Sequence, residues 1–200
     1  MTKPEERQPE AMHFDIVIVG GGLVGLSFAS ALAGSGFSVA IVERNELKAV
    51  SDEPDCRVSA INLSALKQFR QTGVTASPLD GRICAFEKRF VWDRTGAGQI
   101  EFDCAELGLP ELGVIVENNV LQHMLLDAIQ AADNVSYLCP RKIQAIDYRY
   151  DDKQALSTIE LSADGSSPEI SLTARLLVGA DGGNSKVMEA AAIDSVRQAY

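Results

Sequence analysis

Two histidines and four scattered cysteines leave this sequence little from which to build a metal centre. Cys56, Cys84, Cys104 and Cys139 include no C-x-x-C pair, and His13 and His123 lie far apart, whereas zinc sites cluster their thiolates and imidazoles. Such isolated cysteines read as free thiols in a reducing compartment, and His123 as a helix-face or packing residue. Positive charge is also scarce: 18 Lys and Arg stand against 28 Asp and Glu, a net charge of -10. An acidic surface argues against nucleic acid as the main partner, because phosphate binding needs clustered cations. No apolar run approaches the ~20 residues that cross a bilayer. The polar stretch Met1–Met12 lacks the apolar segment of a signal peptide. Residues 1–13 are therefore expected to be a disordered tail on a cytoplasmic chain. There is no Ser-His-Asp or His-Cys set, so no catalytic side chain and no metal ligand is assigned.

What is present begins at Phe14. Phe14-Asp15-Ile16-Val17-Ile18-Val19 is a β-branched run suited to a central parallel strand covered on both faces. Leu23 to Ala33 reads as a helix rich in small residues, closed by Gly34 and Gly36. Val39-Ala40-Ile41-Val42 is a second buried strand ending at Glu43. Together they form a β-α-β unit, whose crossover is right-handed by rule.

Between strand and helix lies Gly20-Gly21-Gly22-Leu23-Val24-Gly25, a match to G-x-G-x-x-G. The pattern gains meaning from its place after a buried strand and before a helix. Gly20 permits the tight turn, Gly22 lets a pyrophosphate approach the backbone, and Gly25 lets the helix pack on the strand. The helix N-terminus then offers free N–H groups to the phosphates. Glu43 stands eighteen positions beyond Gly25, where a carboxylate can accept ribose hydroxyls and disfavours a 2′-phosphate. Arg44 is placed either over the adenosine or in solvent.

Further along, Asn45–Pro54 reads as a polar loop and Ser59–Gln71 as a helix closed by Gly73. Short aromatic and β-branched runs between Arg82 and Asp103, split by turn signals such as Gly96-Ala97-Gly98, predict antiparallel strands of a separate sheet. After Val114-Ile115-Val116, Asn118 or Asn119 can cap a helix over Val120–Ala132 with Leu121, Met124, Leu125 and Ala128 on one face. Tyr137 to Leu172 reads as three strands with turns at Asp151-Asp152 and Ser162–Gly165. Leu176-Leu177-Val178 predicts a last buried strand, running into Gly179-Ala180-Asp181-Gly182-Gly183-Asn184-Ser185 and a helix to Ala192. Open α/β sheets bind ligands at such strand ends.

Asp15–Gly25, Glu43-Arg44, Arg57-Val58-Ser59-Ala60-Ile61, Ile115-Val116-Glu117-Asn118 and Gly179–Ser185 occur in an order that resembles the flavin hydroxylases of ubiquinone biosynthesis. Those are single-component flavoprotein monooxygenases with the para-hydroxybenzoate hydroxylase fold, and the likeness covers nearly the whole chain from Phe14 on. It implies an α/β fold: a Rossmann-like FAD-binding domain with a parallel sheet, a three-stranded antiparallel crossover and the start of an antiparallel substrate sheet. The domain so implied takes residues 14–80 and 113–200, with 81–112 in the substrate sheet. The resemblance also implies roles. Gly20, Gly22 and Gly25 would hold the FAD pyrophosphate and Glu43 the adenosine ribose, with Arg44 beside it. Arg57 would reach toward the flavin and help dock the reductant. Asn118 would lie near the ribityl or pyrophosphate region. Asp181 would bond the cofactor and shape the groove for the nicotinamide donor.

By the same resemblance, NAD(P)H reduces FAD and oxygen then hydroxylates an electron-rich phenol bearing a polyprenyl tail. That substrate would be reached at a membrane surface or within a ubiquinone-biosynthesis complex. Two departures stand out. Met188 occupies a place where the family commonly carries arginine, and the family's members run to about twice this length. The chain is accordingly expected to be a truncated and inactive N-terminal half, with apolar surface exposed where the second half would pack. Competing readings are a non-catalytic dinucleotide-binding module, and an FAD-dependent dehydrogenase or halogenase on the same scaffold. A plain NAD-dependent Rossmann enzyme is disfavoured by the antiparallel stretches.

Overall fold

The computed structural model describes residues 10–74, 81–150, 155–162 and 169–196. The chain divides into two compact units, Met1–Glu46 with Ile129–Tyr200, and Leu47–Ala128.

In the first unit, β1 (Glu10–Val19), α1 (Leu23–Leu32) and β2 (Val39–Val42) form the expected β-α-β. Val39 to Val42 are all buried, as are Val17 and Ile18, because both faces of these strands are covered. The six-stranded sheet runs β8-β2-β1-β11-β10-β9, with β8 (Val135–Leu138), β9 (Lys142–Tyr150), β10 (Ala155–Ser162) and β11 (Ile170–Gly179). β8, β2, β1 and β11 are mutually parallel, and β9, β10 and β11 form an antiparallel meander.

Three expectations are corrected here. β1 starts at Glu10 rather than Phe14, since residues 10–13 find backbone partners in Ile170–Thr173; residues 1–9 of the expected tail lie outside the described residues. Tyr137 belongs to a fourth parallel strand, β8, aligned on β2, and not to the antiparallel stretch. The runs ending at Leu172 and starting at Leu176 are one continuous strand, whose first half pairs β10 and whose whole length pairs β1. Its far end is less buried than expected, with Leu176 49% exposed. The predicted turns at Asp151-Asp152 and Ala163–Gly165 lie outside the described residues.

The second unit holds β3 (Val58–Asn62), α2 (Leu63–Gln71), β4 (Ile83–Phe86), β5 (Lys88–Trp92), β6 (Gln99–Asp103) and β7 (Gly113–Glu117). The helix α3 (Asn118–Gln130) follows β7. Ser59–Asn62, expected to be helical, is strand, because β7 offers these residues an antiparallel partner. The helix starts only at Leu63, with Asn62 Oδ1 accepting the Ala65 N–H at 2.9 Å. The sheet β3-β7-β4 runs across the boundary expected between residues 112 and 113, so β4 and β7 share one sheet. Among the described residues β5 and β6 pair only with each other, as a separate hairpin. Phe90, Trp92, Ile100 and Phe102 on that hairpin are exposed. On α3 the buried positions are Val120, Leu121, Leu125 and Ile129, a helical stripe shifted slightly from the one expected. Among the described residues no helix is long and apolar enough to cross a membrane.

Candidate functional site

The glycine turn in the first unit is packed from both sides. Gly20 has φ +110°, and a Cβ there would lie 2.3 Å from the Ala180 carbonyl oxygen. The Ala180 N–H donates to the Val19 carbonyl at 2.7 Å, and the Gly20 N–H to that of Val42 at 2.9 Å. The ends of β1, β2 and β11 are thereby locked together. A Cβ on Gly25 would stand 1.9 Å from the Gly20 oxygen, so α1 lies directly on the turn. These are the steric reasons that both positions need glycine.

Gly22 differs. It is the extended N-cap of α1, makes no side-chain cap, and a Cβ there would meet nothing within 4 Å. The backbone is therefore open toward solvent at the point where the helix presents its positive end. A negatively charged diphosphate fits that geometry: N–H groups aimed outward, no side chain in the way.

Glu43, half-buried at the end of β2, faces the turn. Its Oε2 accepts the Gly21 N–H at 2.7 Å and its Oε1 the Asn45 N–H at 2.9 Å. Each carboxylate oxygen keeps a lone pair for a further donor such as a ribose hydroxyl. Arg44, next in the chain, is exposed. Tyr137 on β8 lies underneath. Its hydroxyl would be 3.1 Å from a Cβ on Gly21, is buried, and makes no well-formed hydrogen bond, although it interacts with the Cys139 thiol. Burial pushes its phenol well above the ordinary range, with Cys139 and Glu43 adding to the effect. Burial likewise raises the Cys139 thiol, whose Sγ donates to the Asn45 carbonyl at 3.3 Å.

Asp181, just beyond β11, divides its carboxylate. Oδ2 accepts the Lys186 N–H at 2.7 Å, where α4 (Lys186–Ala190) begins, with Ser185 as N-cap. Oδ1 is buried without a partner. Tyr137 Oη thus lies beside Gly21, and Asp181 Oδ1 lies 3.6 Å from where a Cβ on Gly179 would stand; neither makes a well-formed hydrogen bond. Unpartnered buried polar groups of this kind are uncommon, and a polar ligand such as a dinucleotide would satisfy them.

Gly20, Gly22, Gly25, Glu43 and Asp181 thus come together in the first unit. Arg57 and Asn118 come together in the second. The Asn118 N–H donates to the Arg57 carbonyl at 2.9 Å, and Ser59 Oγ donates to Asn118 Oδ1 at 2.6 Å. Asn118 is itself the first residue of α3, and Asn119 Nδ2 donates to the Ala49 carbonyl at 3.3 Å. The Arg57 side chain is exposed. His123, expected on a helix face, donates from Nε2 to the Lys48 carbonyl at 2.8 Å, which fixes the proton on that nitrogen.

Sequence reasoning passed over Gly21, Tyr137, Arg82 and Glu117. Gly21 occupies a variable place in the motif, yet a Cβ there would meet Glu43 Cβ at 2.8 Å. The triple glycine was the available signal. The other three are singled out only by partners distant in the chain.

Residues 13–199 match the family described as FAD binding domain. The chain is 38% identical over 181 residues to the 3-demethoxyubiquinol 3-hydroxylase of Escherichia coli K12, covering 90% of this chain and 44% of that protein. It is 31% identical to the mitochondrial ubiquinone biosynthesis monooxygenase COQ6 of Rattus norvegicus, covering 94% of this chain and 40% of the relative. The chain therefore spans less than half the length of these relatives. Its fold resembles the anhydrotetracycline hydroxylase OxyS of Streptomyces rimosus, with TM-score 0.70 and 17% identity over 94% of this chain and 36% of that one. It also resembles the flavin-dependent monooxygenase PieE, whose structure contains FAD and substrate, with TM-score 0.67 and 18% identity over 94% of this chain and 33% of the other. The glycine turn, the acid at the end of β2 and the match over nearly all its length agree: this chain belongs to the FAD-binding domain family.

Proposed function

We propose that this chain forms the FAD-holding part of a monooxygenase that hydroxylates a polyprenylated phenol in ubiquinone biosynthesis, with NAD(P)H as electron donor. The observation that carries this reading is the 38% identity to the 3-demethoxyubiquinol 3-hydroxylase of Escherichia coli across 90% of the chain. When bound, FAD supplies the redox and oxygen chemistry, and the protein supplies binding and orientation. The N–H groups at the start of α1, exposed beside Gly22, bind the pyrophosphate, and Gly20 and Gly25 keep that turn tight. Glu43 accepts ribose hydroxyls on the lone pairs left free by Gly21 and Asn45, and Arg44 borders the adenosine. Asp181 uses Oδ1 toward the cofactor while Oδ2 holds the start of α4. Arg57 contacts the electron donor and Asn118 borders the cofactor's ribityl or pyrophosphate region.

The test has two stages. Purified protein is mixed with FAD and desalted, and retained flavin absorption is measured. The FAD-loaded protein is then given NADH or NADPH, labelled oxygen gas and a prenylated phenol. Gain of one labelled oxygen atom on the ring supports the reading. FAD retention without product from any prenylated phenol, in protein of the relatives' length, overturns the substrate assignment.

A further inference from the structure

The loop from Lys48 to Val58 is exposed at every residue, so apolar burial does not hold it in place. His123 and Asn119 tie its start at the Lys48 and Ala49 carbonyls, and an ion pair in the second unit grips its middle. Arg82 Nε donates to Glu117 Oε1 at 2.5 Å and Nη2 to Oε2 at 2.6 Å, a bidentate fork. Glu117 is only 6% exposed. Each partner also grips one end of the same loop segment. Arg82 Nη1 donates to the Ser51 carbonyl at 2.8 Å, and the Asp55 N–H donates to Glu117 Oε2 at 2.8 Å. From there the connection to Arg57 is one bond long: Asp55 Oδ1 accepts the Arg57 N–H at 3.0 Å. The Arg57 carbonyl in turn accepts the N–H of Asn118, the residue after Glu117, which closes the circuit.

A sheltered charge pair is a poor stabiliser in itself, since desolvation offsets much of its attraction. Its distinguishing property is geometric: a planar fork allows one arrangement. We propose that Arg82 and Glu117 are positioning residues that set the placement of Arg57 by clamping Ser51 and Asp55. The proposal rests on the reading of Arg57 as the contact for the electron donor.

The test compares the FAD-loaded protein with its Glu117→Gln, Arg82→Lys, Arg57→Ala and Glu117→Gln/Arg57→Ala variants. Glu117→Gln is isosteric and still offers Asp55 an acceptor, while Arg82→Lys keeps the charge and loses the fork. Limited trypsin digestion reports the loop directly. In Glu117→Gln, cleavage after Lys48 and Arg57 is expected to rise about tenfold, with cleavage after Lys142 and Arg175 unchanged. Arg82→Lys is expected to loosen the same two sites, by a smaller factor. Anaerobic flavin bleaching by NADH or NADPH reports the consequence. The donor concentration for half-maximal bleaching is expected to rise about tenfold in Glu117→Gln and in Arg57→Ala, at unchanged limiting rate, and the double variant is expected to be no worse than Arg57→Ala alone.

Wild-type cleavage at Lys48 and Arg57 in Glu117→Gln overturns the proposal. So does equal acceleration at all four sites, the mark of general unfolding, or a donor effect that adds to that of Arg57→Ala. If Arg57→Ala leaves the donor dependence unchanged, the reading of Arg57 fails instead, and the trypsin pattern alone decides whether the clamp exists.

Discussion

Glu43 Oε2 accepts the backbone N–H of Gly21 at 2.7 Å, joining the end of β2 to the turn that follows β1. The carboxylate orders the turn, and on the proposed reading it also accepts ribose hydroxyls. Glu43→Ala removes both. FAD affinity, measured by titration of flavin fluorescence, is expected to fall at least about tenfold, or roughly 1.4 kcal/mol. An unchanged dissociation constant would place the ribose elsewhere.

Gly22 and Gly25 separate binding from folding. Gly25→Ala drives a Cβ to 1.9 Å from the Gly20 oxygen, a backbone atom with no freedom to yield. It is expected to destabilise the chain by about 1–3 kcal/mol as overpacking does. Gly22→Ala meets nothing within 4 Å and is expected to change stability by less than about 0.5 kcal/mol. Both are expected to lose FAD. Urea midpoints and FAD titrations on the two variants check this, and retained FAD in Gly22→Ala would count against a diphosphate at that turn.

Tyr137→Phe deletes a buried hydroxyl that makes no well-formed hydrogen bond. Without FAD the variant is expected to be as stable as the parent or up to about 1 kcal/mol more so, because a desolvated, poorly bonded group is removed. With FAD the sign reverses if the hydroxyl bonds the cofactor. Melting temperatures with and without FAD reveal the crossing.

The Arg82 guanidinium, with the Asp55 N–H, holds the Glu117 carboxyl down to about 2, below its ordinary value of 4.5. A depressed folded value stabilises above the unfolded one. The contribution is therefore complete above about pH 4.5 and is lost as pH falls toward about 2. Glu117→Gln is expected to be less stable than the parent at neutral pH, with the difference shrinking through that window. Urea midpoints recorded from pH 2 to 6 test the sign.

Asn134 ties the α1–β2 connection to the start of β8. Its Oδ1 accepts the Gly34 N–H at 2.8 Å, and its Nδ2 donates to the carbonyls of Leu32 at 3.0 Å and Phe37 at 2.9 Å. Asn134→Ala removes these bonds, leaving the Leu32 carbonyl only the Ser35 N–H, and is expected to cost about 1–3 kcal/mol. Denaturant unfolding measures it, and FAD affinity in the folded fraction should hold.

Elements with a local cause could be read from the sequence. Phe14–Val19 and Val39–Val42 are rich in β-branched residues, which suit a doubly covered strand, and the Gly34 turn closes α1 with φ +71°. The Ser59–Asn62 segment misled because its composition suits helix or strand, and only the partner β7 settles it. β8 misled for the same reason: its direction follows from docking on β2, which no neighbouring residue encodes.

By itself the sequence determined the glycine turn, the acid at the end of the second strand and the family. Each of these is a constraint between residues close in the chain or a pattern carried by residue type. Only the tertiary structure decided that Ala180 closes on Gly20, that Tyr137 lies beneath Gly21 with its hydroxyl lacking a well-formed hydrogen bond, and that Arg82 reaches Glu117. Those relations join residues far apart in the chain, and they exist only once sheet pairing has brought the strands that carry them into contact.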